Sequence, residues 1–225
     1  MILYYSCSNK PAPFLERVFQ RLLRQARETG QQLVAITGHE LAAAPSQLVL
    51  HPRPDAKPWE DLFTRIMAGI ELAKPPSREV VYLAEDDIIY PDEHWQQPCN
   101  FPGYLCHNFN VLYCSREGFF ERYANCLVLS QYWGHAADIY QVAQKKLAEA
   151  KALACGCVEP CGVGYPNVLR MDHAVPSVDI RHTGGFNHSW DAANAAGDPE
   201  VTFLPHHHEI GAHAEFWQEW SPDRQ

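Results

Sequence analysis

Two rhythms of apolar residues organise the first third of the chain. Ile2-Leu3-Tyr4-Tyr5 is an unbroken apolar run and predicts a buried strand that begins almost at residue 1. After a polar loop from Ser6 to Pro13, residues Phe14, Leu15, Val18, Phe19, Leu22, Leu23 and Ala26 recur at helical spacing, and Gly30 supplies a stop. Leu33-Val34-Ala35-Ile36 predicts a second strand, so the chain opens as a βαβ unit. A proline-rich connection around His51-Pro52-Arg53-Pro54 and Lys57-Pro58 follows. Trp59, Leu62, Phe63, Ile66, Met67 and Ile70 then trace another amphipathic helix. Pro75-Pro76 lead into the apolar run Val80-Val81-Tyr82-Leu83-Ala84, which predicts a third buried strand.

The remainder is richer in short elements. Val111-Leu112-Tyr113-Cys114 and Leu127-Val128-Leu129 predict strands, and a polar loop holding Gln131, Trp133, Gly134 and His135 enters a helix from Asp138 to Leu153. Residues 155–176 read as a loop rich in Gly, Cys and Pro, Val178-Asp179-Ile180-Arg181 as a late strand, and Ala212 to Trp220 as a short helix. No repeat and no separating linker is visible. The expected fold class is α/β: one Rossmann-like domain over residues 1–225, with a mixed, mostly parallel central sheet flanked by helices.

Composition narrows the function classes. A length of 225 residues suits one α/β domain, and 46% hydrophobic with 20% charged residues fits a soluble globular chain. No apolar run reaches membrane-spanning length, and the N-terminus lacks a basic region followed by a long apolar core, so neither a span nor a signal peptide is expected. The expected location is cytoplasmic, of the host cell for a viral chain. The formal net charge of −9 argues against a broad nucleic-acid footprint. Arg17, Arg21, Arg24 and Arg27 share a helix stripe, which reads as a solvated face. Eight cysteines without a secretory signal are expected as free thiols. Cys155, Cys157 and Cys161, with His173, form a candidate structural zinc set, but the spacing matches no standard knuckle and thiols in a loop are the preferred reading.

The chemistry concentrates where the third strand ends. Val80–Ala84 stops in Glu85-Asp86-Asp87, before Ile88-Ile89-Tyr90 and Pro91. Three carboxylates at the end of a buried strand repel one another unless a cation compensates them. Oxygen donors suit hard ions such as Mg²⁺ and Mn²⁺, and the C-terminal ends of strands are where open α/β sheets bind ligands. Asp179-Ile180-Arg181-His182, followed by Gly184-Gly185-Phe186-Asn187-His188-Ser189-Trp190, forms a second constellation, in which His182 is a candidate metal ligand. His206-His207-His208-Glu209 reads as an exposed segment, since consecutive residues point in different directions. Asp138, beside Trp133-Gly134-His135, is a candidate base or a helix cap.

Together these residues resemble a nucleotide-sugar glycosyltransferase of the GT-A fold, close to the family 2-like group. The resemblance runs in order through the βαβ opening, VVYLAEDDIIYP with His94-Trp95, FNVLYCS, and PSVDIRHTGGFNHSW. Glu85-Asp86-Asp87 resembles the family's Asp-x-Asp element, with Glu in the first position. It implies Mn²⁺ or Mg²⁺ on Asp87 and His182, and a nucleoside-diphosphate sugar, UDP-linked by preference. Residues 1–95 would form the nucleotide-sugar-binding half and residues 96–225 the acceptor side with the C-terminal metal segment. Glu85 would face the donor, with Asp86 beside it. Tyr5-Ser6-Cys7 and Arg65 would border the nucleoside, and Arg181, Asn187, His188 and Trp190 would add donors toward the phosphates. Asp138 or Asp172 would serve as base. The implied acceptor is a hydroxyl on a saccharide, a lipid-linked glycan, a small metabolite or a hydroxymethylated DNA base, the last as in small viral enzymes. A sugar nucleotidyltransferase is the second enzyme class, disfavoured because Ser6-Cys7-Ser8-Asn9-Lys10-Pro11 has no glycine; a zinc-stabilised binding module is the non-enzymatic alternative.

Overall fold

The computed structural model describes residues 1–6, 12–41, 44–51, 58–114, 120–123, 129–152, 167–180 and 201–203. The βαβ opening is present as β1 (Ile2–Tyr5), α1 (Ala12–Thr29) and β2 (Leu33–Thr37). Gly30 ends α1 in the left-handed region at φ 69°, and Gln31 and Gly30 donate back to the carbonyls of Ala26 and Arg27, the Schellman arrangement. A short edge strand β3 (Gln47–Val49), α2 (Pro58–Ala73), β4 (Val80–Glu85) and β5 (Ile88–Ile89) follow. Next come a 3₁₀ turn at Asp92–Gln96, β6 (Leu105–His107), β7 (Val111–Cys114), β8 (Phe120–Tyr123) and a second 3₁₀ turn at Leu129–Gln131. Then β9 (Tyr132–His135) leads directly into α3 (Ala136–Ala152), before β10 (Val168–Arg170), β11 (Ser177–Ile180) and β12 (Val201–Phe203).

Among the described residues, seven strands form the central sheet in the order β10-β6-β9-β4-β1-β2-β3. All run parallel except β9, which is antiparallel to both β4 and β6. This is the expected α/β class, with a mixed, mostly parallel sheet flanked by helices. The two faces follow from strand alternation. Ile2, Tyr4, Leu33, Ala35, Tyr82 and Ala84 pack with Leu15, Val18, Phe19 and Leu22 of α1. Leu3, Tyr5, Val34, Ile36, Val81 and Leu83 pack with Phe63 and Ile66 of α2 and Ile139 and Ala143 of α3.

Four departures from the expected elements bear on the site. Tyr132–His135 is a fully buried strand in the middle of the sheet, not a polar loop, and α3 starts at Ala136 rather than Asp138. Leu129 opens a 3₁₀ turn instead of closing a strand. Val168–Arg170 forms an edge strand inside the segment expected to be loop. A second sheet, β12-β8-β7-β11-β5, starts from β5 immediately beyond the acidic triplet. Asp86 and Asp87 are therefore the corner at which the chain leaves one sheet for the other. No helix among the described residues is long and apolar enough to cross a membrane.

Candidate active site at the strand ends

Parallel pairing sets Tyr5 beside Glu85 at the C-terminal ends of β1 and β4. Their side chains share a face, and the Tyr5 hydroxyl donates to Glu85 Oε1 at 3.1 Å. One residue on, the Ser6 hydroxyl donates to Asp86 Oδ2 in a buried hydrogen bond, and the Ser6 N–H continues the sheet by donating to the Ile36 carbonyl. Asp86 is only 4% exposed, so its charge stands on that hydroxyl and its other polar neighbours instead of on water. Glu85 and Asp87 are half-buried. Tyr5 and Ser6, expected to border a nucleoside, and the acids 85–87 are thus brought together.

Tyr90 holds this corner from behind. Its buried hydroxyl accepts from the Glu85 N–H at 3.0 Å and donates to the Ser130 carbonyl at 3.1 Å. Its own carbonyl accepts from Gln25 Nε2 at 3.0 Å and Arg21 Nη2 at 3.3 Å, both on α1. Burial, and then the Glu85 carboxylate, push the Tyr90 phenol well above its ordinary pKa, so it remains a neutral donor. Tyr4 lies under the same corner: burial first, then Asp86 and Asp87, raise its phenol in the same direction. Tyr90→Phe strands the Glu85 N–H and the Ser130 carbonyl in a buried setting. The expected loss is about 1–3 kcal/mol of unfolding free energy, read from urea denaturation.

The late strand arrives at the same corner. β11 pairs antiparallel with β5, placing Asp179 opposite Ile88, the residue after Asp87. Asp179 is buried and adds a fourth carboxylate to the neighbourhood. The described part of β11 ends at Ile180. Arg181, His182, Asn187, His188, Trp190, the 206–208 histidines, Cys7, Cys155, Cys157 and Cys161, and the expected helix over 212–220 lie outside the described residues. Among the described residues, no three His, Cys, Asp or Glu side chains gather at a position for a metal ion.

The other candidates separate by topology. Because β9 runs against β4, His135 pairs with Val80, at the start of β4, five residues before Glu85. That pairing sets His135 about 17 Å along the sheet from Glu85, and Asp138 follows it in the first turn of α3. There it accepts from the Gly103 N–H at 2.9 Å and lies 3.5 Å from His135 Nδ1. These contacts fix Asp138 at the start of α3. Asp172 follows β10, whose C-terminal end lies on the same edge as the acids; it is exposed, bonded to the Phe109 N–H at 3.0 Å and to Arg170 Nε at 2.7 Å. Arg65 is wholly buried, with Nε 2.8 Å from Asp61 Oδ2 and Nη2 2.6 Å from the Leu50 carbonyl. Those contacts tie α2 to the end of β3.

No family model matches the chain, and no curated protein matches it. Among solved structures, the chain is similar to a glycosyltransferase involved in the glycosylation of the major capsid of PBCV-1. The identity is 12%, the similarity covers 81% of this chain and 94% of that one, and the TM-score is 0.45.

Beside Asp172, His173 Nε2 lies 2.7 Å from His94 Nδ1, and the pair is enclosed by Trp133, Tyr82, Tyr90 and Trp95. That bond occupies one ring nitrogen of the residue expected as a fourth zinc ligand. Burial lowers both pKa values: His173 to about 4, against Glu93 and Asp172, and His94 well below its ordinary 6.5, with His173 and His107 adding to the effect. Both rings are therefore neutral in the fold, and the stability they contribute is present above pH 6.5 and lost as pH falls toward 4. The expected slope is at most about 1.4 kcal/mol per pH unit for each ring. Urea denaturation through that window should show a shallower pH dependence in His173→Leu than in the wild type.

Proposed function

We propose that the chain is a metal-dependent glycosyltransferase that moves a sugar from a nucleoside-diphosphate sugar, UDP-linked by preference, to a hydroxyl acceptor. The observation that carries this reading is the acidic corner: three consecutive carboxylates at the C-terminal end of a parallel strand, positioned by the hydroxyls of Tyr5, Ser6 and Tyr90. Among the described residues, the carboxylates and hydroxyls at this corner are oxygen donors. That fits Mg²⁺ or Mn²⁺, which bind through one or two carboxylates and complete their shell with water and substrate phosphates.

In this reading Asp87 and His182 hold the ion, and when bound it stabilises the leaving diphosphate as a Lewis acid. Asp86, committed to Ser6, shapes the turn, and Glu85, tied to Tyr5, faces the donor. Arg181, Asn187, His188 and Trp190 supply hydrogen bonds to the phosphates. The nucleoside lies over the end of β1. Asp172 is the base retained for an inverting route, because it shares the sheet edge with the acids. A saccharide, a small metabolite or a hydroxymethylated DNA base each offers the hydroxyl required, and the −9 net charge favours an acceptor other than a long nucleic acid.

The test is turnover of a panel of nucleoside-diphosphate sugars by the purified chain with Mn²⁺. Release of the nucleoside diphosphate, abolished by EDTA and restored by Mn²⁺, is the expected result. Turnover that persists undiminished in EDTA, or its absence with every donor and acceptor class tried, would overturn the assignment.

A further inference from the structure

Two strands across the sheet from β4, two cysteines lie side by side. Cys106 is the central residue of β6, paired in register with Trp133 and Leu169, and Cys99 precedes the turn that feeds this strand. The Cys99 thiol donates to the carbonyl of Tyr104 at 3.9 Å, and the Cys106 thiol donates to the carbonyl of Pro98, the residue before Cys99, at 3.9 Å. This reciprocal seating, each thiol on the backbone beside the other cysteine's segment, makes the two side chains neighbours, and both are free thiols. They belong to one apolar cluster, with Cys106 1% and Cys99 6% exposed, and the intervening residues from Asn100 to Tyr104 are exposed.

We propose that Cys99 and Cys106 are an oxidisable dithiol, a site at which a hydroperoxide converts the pair into an intramolecular disulfide. Cys99 is the attacking residue. It is the more accessible of the two, and its pKa is lowered, first by the hydrogen bond with Cys106 and further by His135 and by backbone hydrogen bonds with Phe101 and His135, against the opposing effect of burial. Cys106 is held as the protonated thiol, its pKa raised by the Cys99 contact and by burial. The Cys99 thiolate attacks the near oxygen of the peroxide. An S–O bond forms, the O–O bond breaks, and the leaving hydroxide or alkoxide takes up a proton. The Cys106 sulfur then attacks the sulfenic sulfur; the S–S bond forms and water departs with the thiol proton. Two thiols lose two electrons, and one peroxide is reduced to water and an alcohol, or to two waters.

The bridge would close a short loop whose Gly103, at φ 80°, donates to Asp138 at the start of α3 and accepts from Asn167 beside β10. Constraining that loop limits the unfolded chain more than the folded one, where the two cysteines are already neighbours. Oxidation should therefore stabilise the fold.

The experiment treats the full chain with hydrogen peroxide, blocks remaining thiols with iodoacetamide after denaturation, and maps peptides cut by chymotrypsin after Tyr104. The expected result is that the Cys99 and Cys106 peptides stay joined until reduced, about 2 Da lighter than their reduced sum. The thermal midpoint rises at the same time. Cys106→Ala should leave Cys99 as a sulfenic acid trapped by dimedone, whereas Cys99→Ala should leave Cys106 unoxidised. Alkylation of both cysteines after peroxide treatment, or their joining to other cysteines instead, would overturn the proposal. The wild-type map decides this even where a variant fails to fold.

Discussion

Asp87→Asn should reduce metal-dependent turnover of a UDP-sugar by on the order of 10²–10³-fold, the usual loss when one electrostatic stabiliser of a transition state is removed. The same variant should leave the unfolding free energy within about 0.5 kcal/mol of wild type, because the change is nearly isosteric at a half-buried turn position. Asp86→Asn makes the contrast. Asp86 is buried on the Ser6 hydroxyl, and losing a charge-assisted hydrogen bond there should cost about 1.5–3 kcal/mol of stability. Steady-state kinetics and urea denaturation on the two variants separate the roles: activity falls first at Asp87, and stability falls first at Asp86. Wild-type turnover in Asp87→Asn would remove that residue from the proposed metal site.

The largest effect on stability should come from Asp61→Ala. It leaves the Arg65 guanidinium, whose side chain has no exposed surface, without its ion-pair partner, keeping only the Leu50 carbonyl. Breaking a buried pair by removing one partner costs about 3–5 kcal/mol. At about 2–4 °C per kcal/mol for a chain of this size, the thermal midpoint should fall by roughly 10 °C. Replacing both members, as Asp61→Leu with Arg65→Met, should recover most of that loss, since well-packed apolar residues often match a buried pair. A double variant as unstable as the single one would show that the pair's geometry, rather than the stranded charge, sets the cost.

The parts of the fold that were legible in the sequence are those whose burial is uninterrupted. Ile2–Tyr5, Leu33–Ile36 and Val80–Ala84 read as strands because both their faces are covered, and Gly30 was visible as the end of α1 because the left-handed turn there favours glycine. Strand β9 was hidden because Tyr-Trp-Gly-His carries polar atoms and a glycine. Its burial comes from tertiary partners: Trp133 Nε1 donates to the Pro98 carbonyl, and a Cβ on Gly134 would come within 2.7 Å of Leu105 Cδ1's twin, Cδ2. Strands β3 and β10 were hidden because each is a three-residue edge strand with no complete apolar face.

The site divides in the same way. The acids of residues 85–87 and their neighbours Tyr5 and Ser6 follow from strand ends and parallel pairing, which local sequence encodes. Tyr90 does not, since its partners are a backbone amide five residues back and a carbonyl 40 residues on. The position of Asp138 is not legible locally, because the direction of β9, which sets where α3 begins, is a property of the assembled sheet alone.

Calorimetric titration of UDP into the chain, with and without Mn²⁺, tests most directly whether the acidic corner holds a diphosphate through a divalent ion. If it does, Mn²⁺ strengthens UDP binding, UDP strengthens Mn²⁺ binding by the same factor, and Asp87→Asn abolishes the coupling in both directions. Equal UDP affinity with and without Mn²⁺ in the wild type would contradict it.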